Sequence, residues 1–266
     1  MLKLAHSPDA DDAYMFYGIA TGAVKLPKPY VEFLADIETL NKLAMAELLD
    51  VTAVSAHALA YVCGKYYVLR VGASMGDGYG PVVVSRHEGR PGVVAVPGRY
   101  TTAALLTKLA MPGVKTVEIP FDKILEAVAA GVVDAGVVIH EGQLTYGRAG
   151  LRLVLDLGDW WRRETGLPTP LGLDVVKASW GREFAEAVGR ALSQSIEYAD
   201  RNREEALRYA SRFARGLSIE ETARFVDMYV NNYTRDMGAA GERALRELLE
   251  RAAEAGAAPT CVPEIV

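Results

Sequence analysis

The chain has 266 residues, half of them hydrophobic and 24% charged, enough to bury one large core or two modest ones and far from a disordered composition. Its 29 Lys and Arg against 34 Asp and Glu leave a net charge of −5 with no basic run, which sets nucleic acid aside as a partner. Two cysteines, Cys63 and Cys261, cannot build a disulfide framework or a zinc knuckle. The four histidines show no metal spacing, so no metal and a reduced, cytoplasmic chain are expected.

From the N-terminus, Leu2–Ala5 reads as a strand that stops at His6-Ser7-Pro8-Asp9, too short and too soon acidic for a secretory signal. Asp9–Thr21 follows as a helix, its first turn crowded with Asp9, Asp11 and Asp12, where the macrodipole favours carboxylates. Tyr30–Leu34 is strand-like. Ile37–Leu48 places Leu40, Leu43, Ala44 and Leu48 on one helical stripe. Val51–Ser55 is a short buried strand and His57–Cys63 a short helix. Tyr66–Ala73 and Val82–Ser85 are strands around the glycine-rich loop Gly76–Pro81.

After the turn at Arg90-Pro91-Gly92 the alternation resumes: strand Val93–Val96, helix Thr101–Leu109, strand Lys115–Ile119, helix Phe121–Ala130, and the continuously apolar strand Val132–Ile139. Beyond a strand at Leu173–Val176 the chain reads as helices over Glu183–Ala199, Arg203–Phe213, Ile219–Asn231 and Glu242–Ala255. Ser218-Ile219-Glu220-Glu221 forms a capping box for the third. The pattern is α/β. It predicts two lobes facing across a ligand cleft, residues 1–88 with 174–266 as the first and 89–173 as the second. No segment reaches the ~18 apolar residues of a membrane span, so no membrane partner is expected.

Candidate site residues lie where strands end. His140 closes the strand Val132–Ile139 and projects into the predicted cleft, with the side chain best suited to take a proton near neutral pH; a histidine bonded to loop backbone is the alternative. Thr101 and Thr102 open a helix after Val96-Pro97-Gly98-Arg99-Tyr100. This arrangement aims free backbone N–H groups and two hydroxyls at one spot, a receptor for a carboxylate or phosphate, although Thr101 alone would serve as an N-cap. Ser55 and Ser7 end two further strands and are either ligand donors or turn caps. Asp9, Asp11 and Asp12 are explained by the helix dipole without a metal. Neither a Walker loop nor a dinucleotide fingerprint occurs. His57 and His87 read as structural, and Trp160 and Trp161 as lobe packing or, alternatively, an aromatic wall for a ring-shaped ligand.

Several motifs together resemble the 1,4-dihydroxy-6-naphthoate synthase family of the futalosine route to menaquinone. They are Ile139-His140-Glu141-Gly142, Asp156-Leu157-Gly158-Asp159-Trp160-Trp161 and Thr165-Gly166-Leu167-Pro168-Thr169-Pro170-Leu171-Gly172, with Ile37–Asn41, Val96–Thr102 and Tyr229-Val230-Asn231. The resemblance spans nearly the whole chain. It implies a type II periplasmic-binding-protein fold and a cofactor-free carbon–carbon lyase acting on cyclic dehypoxanthinylfutalosine, a small carboxylate. It further implies His140 as proton acceptor and substrate contacts at Ala53, Val54 and Ser55 and at Thr101 and Thr102. The chain departs from the family at Ser7-Pro8-Asp9-Ala10-Asp11-Asp12, where the family has Ser-Pro-Cys-Pro-Asn-Asp, and at Ala53, where it has lysine. Both departures make the pocket less attractive to an anion. The rival readings are a small-anion binding protein without catalysis and a chorismate dehydratase-like enzyme.

Overall fold

The computed structural model describes residues 1–266. Its strands are β1 (Leu2–His6), β2 (Tyr30–Leu34), β3 (Val51–Ser55), β4 (Tyr66–Val68), β5 (Ser74–Gly76), β6 (Val82–Ser85), β7 (Val93–Val96), β8 (Lys115–Glu118), β9 (Ala135–Val138), β10 (Arg152–Asp156) and β11 (Thr169–Lys177). They form two sheets, ordered β2-β1-β3-β11-β4 with β5 also paired to β11, and β10-β6-β9-β7-β8.

In each sheet a parallel core is flanked by antiparallel strands. β1 runs parallel to β2 and β3, while β11 returns antiparallel along β3, β4 and β5. β7 runs parallel to β8 and β9, and β6 lies antiparallel between β9 and β10. The inner strands β3, β6 and β9 are buried at every residue, as continuous β-branched runs require. The carboxyl ends of β1 and β3 face those of β7 and β9, so the loops that leave these strands converge between the sheets.

The pairing alters several expectations. Val82–Ser85 belongs to the second sheet, whereas the sequence reading drew the first lobe through residue 88. The chain crosses at 77–81 and recrosses at 157–168. There the two passes touch backbone to backbone: a Cβ on Gly158 would lie 2.0 Å from the carbonyl carbon of Tyr79, and one on Gly80 2.9 Å from the Cα of Gly158. Only glycine permits that approach. The helix expected over Asp9–Thr21 is two helices, Ala10–Met15 and Tyr17–Ala20, parted at Phe16, whose ring stacks on His6 at 4.5 Å. β10 and the helix Leu157–Thr165 were not anticipated; the helix is capped by Asp156, which accepts from Gly158 N at 2.8 Å and Asp159 N at 3.0 Å. The capping box at Ser218 and Glu221 forms as read.

The cysteines require a correction. Cys63 and Cys261 are joined in a disulfide across 198 residues of sequence. After the last long helix, Gly238–Glu254, the chain returns to β4, where Val68 N donates to Glu264 O at 2.8 Å and Val266 N to Val68 O at 2.9 Å. That return brings the two cysteine Cα atoms within 5.7 Å, a proximity that sequence spacing does not reveal. Cysteine usage therefore no longer argues for a reducing compartment. No helix is long and apolar enough to cross a membrane.

Candidate functional site

Between the sheets lies a cleft holding about 740 Å³ of space free of atoms, part of it continuous with solvent. Ser7, Ala53, Ser55, Thr101, Thr102 and His140 all line it. Val54 does not: successive side chains of a strand face opposite ways, and Val54 points into the core with no exposed surface.

His140 sits two residues beyond β9 with φ at +54°, a left-handed conformation that costs a non-glycine residue about 1–3 kcal/mol. Its side chain is 18% exposed, and Nδ1 lies 3.2 Å from Oδ2 of Asp9. Phe121 meets the ring edge-on at 5.1 Å. Nε2 has no partner within the protein.

Ser55 is held by Asn41, which donates from Nδ2 to Ser55 Oγ at 3.0 Å and accepts from Ser55 N at 2.9 Å. Since Oγ is already accepting, its own proton is free to be given to a ligand. Asn41 is fully buried on the helix Ile37–Met45. It fell within the family-like motif, but no role was read for it.

At the other wall the hydroxyls are already committed. Thr101 Oγ1 caps its helix, accepting from Ala104 N at 3.2 Å and donating to Gly98 O at 2.8 Å. Thr102 Oγ1 donates to Leu171 O at 2.8 Å and accepts from His57 N at 3.2 Å, which also gives the buried His57 a structural place. What remains for an anion is the first-turn N–H groups of Thr102 and Ala103, at the positive end of the helix Thr102–Ala110. Ser7 is likewise spent, its hydroxyl and its N–H both donating to Asp12 Oδ2, at 2.5 and 2.8 Å.

Two carboxyl groups in the cleft are unusual. Asp174 is 1% exposed, and neither of its oxygens has a hydrogen-bond partner. Burial, reinforced by Asp12, pushes its pKa well above the ordinary aspartate value against an opposing pull from His6. Asp11 is pushed up too, by burial and then by Asp12, Asp9 and Glu141. Folding thus favours neutral Asp174. The stability it contributes is complete below its unfolded-state pKa of about 3.9 and is lost as pH rises through the higher folded value. Asp174→Asn is accordingly expected to leave the melting temperature unchanged near pH 3.5 and to raise it by about 2–4 °C at pH 8. Calorimetry at the two pH values checks this, and an equal shift at both would contradict it.

Tyr229 completes the lining, its hydroxyl donating across the cleft to Gln143 Oε1 at 2.7 Å, with burial driving its pKa upward. Of the tryptophans, Trp161 is wholly buried and its Nε1 donates to Pro168 O at 2.9 Å; neither tryptophan lines the cleft. His87 is exposed on the loop after β6.

Comparison with known proteins bears on this cleft. A family model described as menaquinone biosynthesis matches residues 2–254. A Thermus thermophilus protein named 1,4-dihydroxy-6-naphthoate synthase is 42% identical, covering 100% of this chain and 99% of its own. A crystal structure of an Archaeoglobus fulgidus protein superposes with a TM-score of 0.93 at 48% identity, over 96% of this chain and 97% of that one. The alkanesulfonate-binding protein SsuA from Xanthomonas axonopodis pv. citri, solved with MOPS, shares the fold with a TM-score of 0.73 at 13% identity, over 100% and 97% of the two chains. The two sheets and the cleft between them are those of a periplasmic-binding-protein-like fold.

Proposed function

The chain belongs to the menaquinone-biosynthesis family of 1,4-dihydroxy-6-naphthoate synthases, and from that premise we propose that it cleaves cyclic dehypoxanthinylfutalosine to 1,4-dihydroxy-6-naphthoate with His140 as the proton acceptor. The observation that carries this reading is the imidazole at the end of β9, with Nδ1 3.2 Å from a buried carboxylate oxygen and Nε2 unpartnered at a cleft.

The substrate carboxylate rests on the N–H groups that begin the helix Thr102–Ala110, where the dipole and the unpaired donors favour a negative charge. Ser55, oriented by Asn41, donates to an oxygen of the bicyclic body. Nε2 of His140 then removes a proton from the sugar-derived ring, and the carbon–carbon bond breaks in a retro-aldol sense, releasing the sugar-derived fragment as the second ring becomes aromatic. Aromatisation supplies driving force, so one base in a preorganised cleft suffices, the base itself contributing about 10²–10⁴-fold. Burial raises the pKa values of Asp11 and Asp174, which favours their uncharged forms and lessens the negative charge that the three acids lining the cleft would otherwise impose.

Purified protein incubated with cyclic dehypoxanthinylfutalosine is expected to release 1,4-dihydroxy-6-naphthoate, followed by its absorbance and mass, and to leave chorismate unchanged. Binding of the substrate without product would instead favour a capture protein on this fold. Turnover of chorismate would move the chain to the dehydratase reading.

A further inference from the structure

One charged cluster beside His140 takes no part in the proton transfer. Asp9 precedes the helix Ala10–Met15 in the N-cap position but makes no side-chain capping bond. Its carboxylate, 2% exposed, turns instead toward His140 and Arg215. Arg215 lies in the turn before the helix Ile219–Tyr229, with φ at +41°. Besides binding Asp9, it donates to Pro8 O at 3.0 Å and to Glu141 Oε2 at 3.2 Å, and its guanidinium covers the Phe121 ring at 4.6 Å. Pro8, Asp9 and Arg215 flank the first sheet, whereas Phe121, His140 and Glu141 belong to the second.

We infer that Asp9 is a positioning residue for His140, reaching across the cleft so that the imidazole is aligned only while the two halves are closed on each other. The inference rests on the reading of His140 as the base. A carboxylate accepting from Nδ1–H fixes the tautomer with its lone pair on Nε2, holds the ring plane and steadies the imidazolium formed when a proton arrives. Burial alone would push the Asp9 pKa up; the charges of His140 and Arg215 overcome it and hold the group below the usual range, so a full negative charge is present where the ring needs it. Glu141 is the other nearby acid, but its Oε2 is engaged by Arg215 rather than by the imidazole.

Arg215 sets up a discriminating test. It is a donor only. In Asp9→Asn it takes the amide oxygen, and the amide NH₂ is left facing Nδ1. The ring must then accept at Nδ1 and carry its proton on Nε2, the tautomer that cannot act as a base. Asp9→Ala merely frees the ring. Asp9→Ala is therefore expected to lower kcat by about 10–100-fold with KM within about threefold, and the isosteric Asp9→Asn to lower it further, by about 10³-fold or more. In a His140→Ala background Asp9→Asn should change nothing. A residue that only packs would show the reverse order, Asn being milder than Ala.

Long-range proton–nitrogen correlation spectra of the neutral ring, with the His140 signals identified by their loss in His140→Ala, supply a readout independent of turnover. Wild type is expected to show a protonated Nδ1, and Asp9→Asn a protonated Nε2. A wild-type ring protonated on Nε2, or an Asn variant no more impaired than Ala, overturns the inference. Absence of turnover by the wild-type protein with the expected tautomers in place overturns the catalytic reading and leaves the positioning contact standing.

Discussion

His140→Ala is expected to bind 1,4-dihydroxy-6-naphthoate with nearly unchanged affinity while losing about 10²–10⁴-fold in turnover, the range a general base contributes. The binding groups assigned to the carboxylate and the bicycle, the helix start at Thr102 and the Ser55 hydroxyl, sit on other elements and do not lean on the imidazole. Removing the ring leaves Asp9 paired with Arg215, so no uncompensated charge is stranded in the interior. Backbone geometry provides a control. At φ +54° alanine remains strained but glycine does not, so His140→Gly should be the more stable of the two and equally inactive. Calorimetric titration with product, together with initial rates on substrate, checks both halves. Near-normal turnover in either variant removes His140 from the mechanism.

Trp161→Ala is expected to destabilise the fold by about 3–5 kcal/mol, as truncation of a buried aromatic does. Trp161 has no exposed surface, and it belongs to the apolar cluster that joins β3 and β11 of the first sheet to β7 and β9 of the second. The Arg251 guanidinium lies over its ring at 5.5 Å. Alanine would leave a cavity on the hinge side and orphan the Pro168 carbonyl, so the loss belongs toward the upper end of that range. Trp161→Phe keeps most of the volume and gives up the hydrogen bond, for about 1–2 kcal/mol. Denaturant titration separates the two variants, and a loss under 1 kcal/mol for the alanine would show that the interior closes over the gap.

The strands were legible where β-branched runs were long and punctuated. Val51–Ser55, Val82–Ser85 and Val93–Val96 form with the limits their sequences predict, because apolar runs ended by turn residues have few other places to go, and Tyr30–Leu34 forms with its expected limits as a largely exposed edge strand. Arg152–Asp156 escaped because it begins and ends on a charge at an edge of its sheet, so only three apolar residues spoke for a strand. Val82–Ser85 in turn lies in the second sheet through its pairing with β9, a fact of pairing that no local pattern encodes.

The cleft was legible to the extent that strand ends were. End-of-strand reasoning brought His140, Ser55, Ser7 and Thr101 to one cavity. It failed on how their atoms are used. The hydroxyls of Thr102 and Ser7 turned out to be occupied by Leu171 and Asp12, partners 69 and 5 residues away. Val54 was carried along with its neighbours, although strand alternation turns it inward. Asp9 looked fully explained by the helix dipole, and its actual partners come from distant turns. The Cys63–Cys261 bond hid for the same reason: proximity made by the whole fold leaves no trace in spacing.

The return of the last residues to β4 has a consequence for the boundaries of the protein as a usable unit. β4 is the outermost strand of its sheet, and Ile265 bridges Val68 along its free side while Cys261 anchors the segment. A chain cut after the final long helix would retain every cleft group named above, yet it would leave a row of bare amide and carbonyl groups ready to recruit the same strand from another molecule. Shortening at that end is therefore expected to promote edge-to-edge stacking and precipitation, and affinity handles should be added to the tail rather than put in its place.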